Sequence, residues 1–410
     1  MITIEQASSG DIAVLERVLL DTVTWLNDKG TPLWGASEVT WDALSKKYSA
    51  SDFYLAYLDG APAGCMALIE DDPFFWPDVP PDESLFLHKL AVTKAARKLG
   101  VSDALMDFSK SEGVRRGKTT LRLDTHALRP KVRAFYERHG FRHVGTKVLL
   151  GKYHTAFYEV DLHSAILTRN KNSWNAIADS FFGVTALPAY GCLCPGEDEL
   201  RLFPDLTGKA VLDIGCGSGH SLLWCGRHGA SELWGLDMSD RQTETAERLL
   251  RGHGYAPTLF CSPMEQNPGL PPGYFDVVYS IYAIGWTVDL QRTFTLIASY
   301  LKPGGIFIFS WDHPFLHCVE AVDEKLVFSG NYYEPAPFNF RKLDNPMTLY
   351  NRRLCDYVNA LAAAGLAVER MVEETDKETL SRDAEFSSAY YAPGKAKRFP
   401  LSLIVKAKRV

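Results

Sequence analysis

The sequence predicts an α/β protein of two domains, and three observations carry that prediction. Residues 211–220 read V-L-D-I-G-C-G-S-G-H, an apolar run closed by Gly215, Gly217 and Gly219 and followed by a helical pattern. Strand, glycine turn and helix in that order make the first half of a nucleotide-binding βαβ unit. About twenty residues further on, where such a unit places a carboxylate at the tip of its second strand, the run L-W-G-L-D ends at Asp237. A chain of 410 residues also exceeds one typical hydrophobic core, so residues 1–163 need a core of their own.

Taken in order, residues 2–4 alternate as an edge strand does, and Ser8 to Asp11 supply caps for an amphipathic helix through Leu26. A short helix is expected at 40–48. Residues 53–58 and 63–69 read as a hairpin across Asp59-Gly60. Residues 71–82 are rich in proline and aromatics, hence a loop, and 84–92 (S-L-F-L-H-K-L-A-V) form a strand of mixed polarity. A turn carrying Arg97, Lys98 and Gly100 then runs into a helix. Orphan N–H groups, the helix dipole and two cations make that turn a phosphate site. Residues 121–124 form a further strand, and R-A-F-Y-E-R-H-G-F is a helix closed by Gly140.

Over roughly residues 1–162 these motifs resemble a GNAT-type N-acetyltransferase, with a mixed α+β sheet. The family's pyrophosphate loop, R/Q-x-x-G-x-G/A, is here Arg97-Lys98-Leu99-Gly100-Val101-Ser102. The resemblance implies that this loop, with Arg97, Lys98, Gly100 and Ser102, holds the diphosphate of acetyl-CoA. It also implies that Leu90 and Val92 lend main chain to the pantetheine arm, and that Tyr136 protonates the leaving thiolate. Ser102 stands where Gly or Ala is usual, and Arg129 where relatives often carry asparagine. The amine must reach the thioester uncharged, so a base is needed. Glu83, at the mouth of the fourth strand, and His88 within it are the options.

Residues 163–171 lack glycine–proline linker character, so 164–172 is expected as a short join, through a helix or a turn. In the second half the spacing is G-x-G-x-G, with His220 where a dinucleotide fingerprint wants its third glycine, which argues against NAD and FAD. F-D-V-V-Y (275–279) reads as a fourth strand, and L-K-P-G-G-I-F-I-F-S as a turn into the fifth. This set resembles a class I S-adenosylmethionine (SAM) methyltransferase over about 172–410, implying a Rossmann-like, seven-stranded domain at 173–410. By that resemblance Gly215, Gly217 and Gly219 carry the methionine part of SAM, with Asp213 near its ammonium. Asp237 takes the ribose diol, Met238 and Met264 flank adenine, and Glu265 meets its exocyclic amine. Relatives often place an aspartate where this chain has Cys261-Ser262-Pro263.

The methyl acceptor is expected where the fourth and fifth strands end, around S-I-Y-A-I-G-W, with Ser280 on the cofactor side and Tyr282 and Trp286 on the acceptor. Trp174 and Tyr190, before the first strand of this domain, either cover the site as a lid or pack a cap helix. His313 is either a base or a structural residue of the His-Pro step. An insertion near 315–350 is expected to form a substrate lid. A helix at 351–364 and an antiparallel hairpin of 366–373 with 401–408 finish the domain. Lys395, Lys397 and Arg398 read as a solvated turn.

Composition narrows the function classes. The chain is 46% hydrophobic and 23% charged, with no run long enough to cross a bilayer and no signal pattern at its N-terminus. Eight scattered cysteines, with only Cys192 and Cys194 close together, give no zinc spacing, so no metal and a reduced, cytoplasmic setting are expected. A net charge of −6 without a basic tail disfavours nucleic acid. The expected protein is a bifunctional enzyme that acetylates and methylates small molecules. The alternative makes the first half a binding or sensing module without chemistry. Acceptors and oligomeric state stay open.

Overall fold

The apolar runs of the first half form seven strands in a computed structural model that describes residues 1–80, 83–322, 325–333, 337–383 and 387–410. They are β1 (Ile2–Gln6), β2 (Phe53–Leu58), β3 (Ala61–Ile69), β4 (Ser84–Val92), β5 (Thr120–His126), β6 (Arg142–Leu149) and β7 (Tyr153–Asp161). Their order is β1-β2-β3-β4-β5-β7-β6, with β4 and β5 the parallel pair. The period of two sorts side chains cleanly. Phe53 and Leu55 face the helix Ile12–Asp28, whereas Tyr54 and Ala56 face the helix Val101–Arg115. Strands β6 and β7 escaped sequence reading. The edge strand β6 is almost wholly exposed, so its sequence carries no apolar alternation. The end of the 71–82 loop lies outside the described residues.

One irregularity positions the first site. Ala67 pairs with His88 and Cys65 with Ala91, so Lys89 and Leu90 together face one residue of β3. This is a β-bulge, with Lys89 at φ +52°. Parallel pairing of β4 with β5 ends at Leu87 and Leu123, and beyond that point the two strands bond to opposite neighbours. The sheet opens at His88 and Asp124.

Compact units divide the chain at Met1–Ala165 and Ile166–Val410. Residues 164–172, expected as a linker, lie inside one helix, Leu162–Ile177. The second unit holds β8 (Ala210–Ile214), β9 (Glu232–Asp237), β10 (Thr258–Cys261), β11 (Phe275–Ile281) and β12 (Leu301–Asp312). Two hairpins follow, β13 (Val319–Val322) with β14 (Lys325–Phe328) and β15 (Pro337–Lys342) with β16 (Asn345–Tyr350), and then β17 (Leu366–Val372) and β18 (Ser402–Arg409). The main sheet runs β10-β9-β8-β11-β12-β18-β17, parallel except for β18, which is antiparallel to both neighbours. Residues Val211, Val277 and Tyr279 meet helices His220–Arg227 and Asp240–Gly252. Leu212, Val278 and Phe307 meet Leu290–Tyr300 and Leu354–Ala363. No helix among the described residues is long and apolar enough to cross a membrane.

Candidate active sites

In the second unit the strand order reverses between β8 and β11, and ligands of such sheets bind at the carboxyl ends beside that switch. A cavity of about 820 Å³ opens there. Asp213, Asp237, Ile281 and Asp312 reach it from the ends of β8, β9, β11 and β12. The glycine loop beneath it is built by three different requirements. Gly215 sits at φ +78° and any Cβ would collide with the Ala283 methyl. A Cβ on Gly219 would stand 2.9 Å from Ala246 Cβ, and this glycine does not line the cavity: it packs one helix against another. Gly217, at φ +49°, has open space in front of it and faces the cavity. Gly215 and Gly217 both line the cavity, and of the three glycines only Gly217 faces open space at its Cβ position.

The polar groups of this half suit SAM. The Asp237 carboxylate accepts from Gly217 N–H at 2.9 Å and from Ser239 N–H at 2.8 Å, locking the loop to the tip of β9. Asp213 is buried, and its Oδ1 has no hydrogen-bond partner. Burial, and then the Asp237 charge, push its carboxyl well above the ordinary range. A carboxyl in that state is completed by an arriving ammonium. Gln242 and Ser262 line the same half, and Gln242 Oε1 is buried without a partner. Met238 and Met264 supply apolar walls.

Three other expected contacts lie elsewhere. Glu265 does not line the cavity: its Oε1 accepts from Thr287 Oγ1 and Val288 N–H, both at 2.6 Å, and braces the turn after β11. Ser280 is buried and donates to the Ile214 carbonyl at 2.7 Å, tying β11 to β8. Tyr190 is buried, with its hydroxyl on Glu197 Oε2 at 2.6 Å, and Glu197 also accepts Leu202 and Phe203 N–H. It anchors a loop.

The acceptor half is walled by aromatics. Trp174 meets Phe181 and Trp286 edge-on with centroids 5.1 Å apart, and Tyr282, Trp311 and Phe340 continue the wall. Tyr282 holds φ +54°, a conformation costing a non-glycine residue on the order of 1–3 kcal/mol, which turns the chain after β11 toward the cavity. Two glycines make room behind this wall. A Cβ on Gly191 would strike the Tyr282 ring, and one on Gly285 the Trp311 indole. The 315–350 insertion contributes Val319, Phe338, Phe340, Lys342 and Leu349; residues 334–336 of its aromatic run lie outside the described residues. Asn170 exchanges two hydrogen bonds with Thr348, and Ser173 donates to the Pro346 carbonyl, fixing the β15–β16 hairpin to the helix before it.

Charge in this half was not legible in advance. The half-buried Asp312 accepts from Tyr282 at 2.6 Å, Tyr391 at 2.9 Å and Tyr390 at 3.4 Å. His313 lies outside the cavity: Glu373 takes its Nε2–H at 2.7 Å and Phe315 N–H donates to its Nδ1, so both ring nitrogens are occupied. His317, four residues on, faces the cavity instead, and burial followed by His313 lowers it to about 4, leaving a neutral imidazole. Lys395, expected on a solvated turn, is 3% exposed and lines the cavity.

In the first unit the expected acid and base candidates separate. Tyr136 is buried, and burial followed by the Asp124 charge raises its phenol, keeping it protonated. Glu83 stands at the closed end of the β4–β5 pair, bound to Arg122 at 3.3 Å, away from the opening. His88 stands at the opening, with Nε2 2.9 Å from Asp72 and Nδ1 3.8 Å from Asp124, while Lys47 holds the other Asp72 oxygen at 2.9 Å. Asp124, absent from the sequence reading, is pushed up to about 6, chiefly by burial. Leu90 lies in the bulge, Val92 pairs with Gly64, and the Val92 carbonyl accepts from Thr22. Gly100, at φ +82°, caps the helix Val101–Arg115, and Ser102 lies in its first turn. Arg97 rests on the Trp25 ring at 3.3 Å with its Nε buried and unpartnered, and Lys98 takes φ +64°. Arg129 reaches the carbonyls of Thr31 and Pro32.

A mostly parallel sheet with a glycine loop at its switch point in the second unit, and a sheet splayed at a bulge in the first, define two domains of transferase type. Residues 212–309 match the methyltransferase domain family, and 20–141 match the acetyltransferase (GNAT) family. An uncharacterized protein of Haemophilus influenzae is 30% identical over 223 residues, 52% of this chain and 85% of that protein. A ubiquinone biosynthesis O-methyltransferase of Neisseria meningitidis is 31% identical over 129 residues, 30% of this chain and 54% of its own length. Among solved structures, a SAM-dependent methyltransferase of Mesorhizobium loti is 26% identical, covers 51% of this chain and 94% of its own, and has a TM-score of 0.44. The chain belongs to both families, a GNAT domain followed by a class I SAM-dependent methyltransferase domain.

Proposed function

We propose that the chain is a bifunctional enzyme that methylates one small molecule and acetylates an amine. The observation that carries the methyl half is the cavity that joins the Gly217–Asp237 lock to an aromatic chamber. SAM, when bound, supplies an electrophilic methyl on a sulfonium. Asp213 neutralises an ammonium, the Asp237 oxygens meet a diol, and Trp174, Trp286 and Trp311 exclude water from the acceptor. His317 stands ready, as a neutral imidazole, to take a proton from an acceptor that must lose one. The enclosure by aromatic side chains favours a compact molecule over a macromolecule.

For the acetyl half the residues present fit acetyl-CoA. Arg97 Nε is a buried donor without a partner, and the helix that Gly100 caps begins with orphan N–H groups. Acetyl-CoA, when bound, supplies the activated thioester. Asp124 is the base: its carboxyl titrates near neutrality at the opening, with His88 between it and Asp72. The Tyr136 phenol, under the same field, holds the proton that a leaving thiolate needs. A carboxyl at the opening and a protonated phenol within reach of its charge favour chemistry over a sensing role.

The test is thermal unfolding of the full chain with S-adenosylhomocysteine (SAH) and acetyl-CoA added separately. Each ligand at a hundredfold excess over its dissociation constant stabilises the state it binds by about 2.7 kcal/mol. Two shifts, each in its own transition, support the bifunctional reading. A shift with SAH alone would reduce the first domain to a non-catalytic module.

A further inference from the structure

Asp72 has no task in the acetyl chemistry proposed above, yet its side chain is fully buried. It sits in the loop after β3, where its carbonyl accepts from Trp76 N–H at 2.8 Å. A buried charge is costly unless it is paired. Asp72 Oδ1 takes the Lys47 ammonium at 2.9 Å, and Oδ2 lies 2.9 Å from His88 Nε2. Burial alone would raise this carboxyl, but His88 and then Lys47 outweigh it and hold it below the ordinary range, so Asp72 is an anion near neutrality. The rings of Tyr48 and Phe75, each centred 6.1 Å from the imidazole, wall the pair. Nε2 and Oδ2 are both buried without another partner among the described residues. Their contact is out of line for a full hydrogen bond, so charge is what holds it.

A neutral imidazole carries one proton, on either nitrogen. Beside the Asp72 anion that proton belongs on Nε2. Nδ1 is then a bare lone pair on the side of Asp124, 3.8 Å from its Oδ1. Contacts between proton-transfer partners are commonly long until substrate closes the site. We infer that Asp72 is a positioning residue for acetyl transfer: it fixes the Nε2–H form of His88, so that Nδ1 takes the proton from Asp124 in each turnover. This rests on the reading of the first unit as an acetyltransferase with Asp124 as its base. The protons balance. The acceptor ammonium gives one to the Asp124 carboxylate and becomes the free amine. The Asp124 acid passes it to Nδ1, which restores the carboxylate. The imidazolium, held between two carboxylates, releases it to water at the opening, where His88 keeps 10% exposure. The proton that the nitrogen sheds on acylation replaces the one Tyr136 gives to the thiolate. Lys47, Lys89, Tyr48 and Tyr136 also act on this pair of carboxylates.

The test reads tautomer and turnover separately. Nitrogen-15 NMR of the full chain labelled at histidine, with the His88 signal identified by its loss in His88→Gln, should show the Nε2–H form at pH 8. Asp72→Asn, whose amide can turn an N–H toward Nε2, should move the proton to Nδ1. Thiol release from acetyl-CoA with an amine panel should then fall about tenfold or more. The acid limb of kcat/KM should shift to lower pH, because an Nδ1–H facing Asp124 favours its carboxylate. KM for acetyl-CoA should stay within about twofold. Lys47→Met, which removes the other partner of Asp72, should keep the parent tautomer and so separates this role from a general loosening of the loop. The inference is overturned if the parent shows any form but Nε2–H at pH 8, if Asp72→Asn leaves the tautomer unchanged, if turnover survives the change, or if Lys47→Met moves the proton as well. A parent that releases no thiol with any amine would instead strike the acetyltransferase reading, whatever the tautomer of His88.

Discussion

Asp124, the base proposed for acetyl transfer, ties that proposal to stability in a way that can be measured by replacing it with asparagine. Its carboxyl stands at about 6 in the fold against an ordinary 3.8, raised first by burial and by the Asp72 charge, and opposed by His88, Lys47 and Lys89. Because the folded value is the higher one, the fold favours the protonated acid. That contribution is complete below the unfolded value and is lost as pH rises through about 6. The full difference, 6 minus 3.8, is 2.2 units, or about 3 kcal/mol. Between about pH 4.5 and pH 8 the part recovered is about 2 kcal/mol by the linkage relation. Asp124→Asn removes this titration, and the difference between variant and parent reads it. The variant's stability relative to the parent should therefore be about 2 kcal/mol more favourable at pH 8 than at pH 4.5. Hydrogen exchange of the Thr120–His126 peptides in the full chain reads local stability directly. Acetyl transfer, followed as thiol release from acetyl-CoA with an amine panel, should fall at least a hundredfold, the usual weight of a general base. A stability difference that does not change with pH would refute the assignment, as would a variant that keeps its turnover.

The remaining expectations concern residues that sequence alone placed in one class and geometry divides. Gly215→Ala should destabilise the second unit by about 2–4 kcal/mol, from collision with Ala283 added to a left-handed backbone. Gly217→Ala should cost about 1 kcal/mol of stability and show its main effect as weakened SAH affinity; denaturant unfolding and calorimetry separate the pair. His317→Gln should reduce methyl transfer tenfold or more with an unchanged unfolding temperature, whereas His313→Gln should lower that temperature through the lost Glu373 contact. Because His317 titrates near 4, its base form is complete above about pH 5.5, and the methyl-transfer profile should show no loss from this group up to pH 8. Glu83→Gln should change acetyl transfer less than twofold in the thiol-release assay, its partner being Arg122 at the closed end of the strands.

The order of strands and helices was legible wherever burial imposed a period. The runs at 53–58, 84–92 and 211–214 are apolar because they lie inside, and β18, buried over its first four residues, reads the same way. Strand β6 was not legible because an exposed edge places no demand on its side chains. The cofactor loop could be read from three glycines, but not which glycine meets ligand and which meets Ala246, since both requirements select the same residue. Acceptor-side chemistry was least legible. Lys395 has the sequence surroundings of a surface turn, and only its placement beside Tyr390 removes it from water. His313 and His317 lie in one short segment, and a difference of one turn in the chain decides which ring meets the cavity. Asp124 was overlooked because a lone aspartate within a strand carries no signal until the sheet opens beside it.

Gly191 and Gly285 give the acceptor chamber an adjustment that acts from behind. Neither is itself part of the lining, yet each allows a large ring to lie flat against the backbone, Tyr282 over one and Trp311 over the other. A single methyl group at either position would push that ring forward and reshape the chamber without altering any side chain a substrate touches. Acceptor range in such an enzyme can thus drift through mutations that a comparison of lining residues would score as silent. A search for relatives with shifted substrates should begin with the residues under the rings.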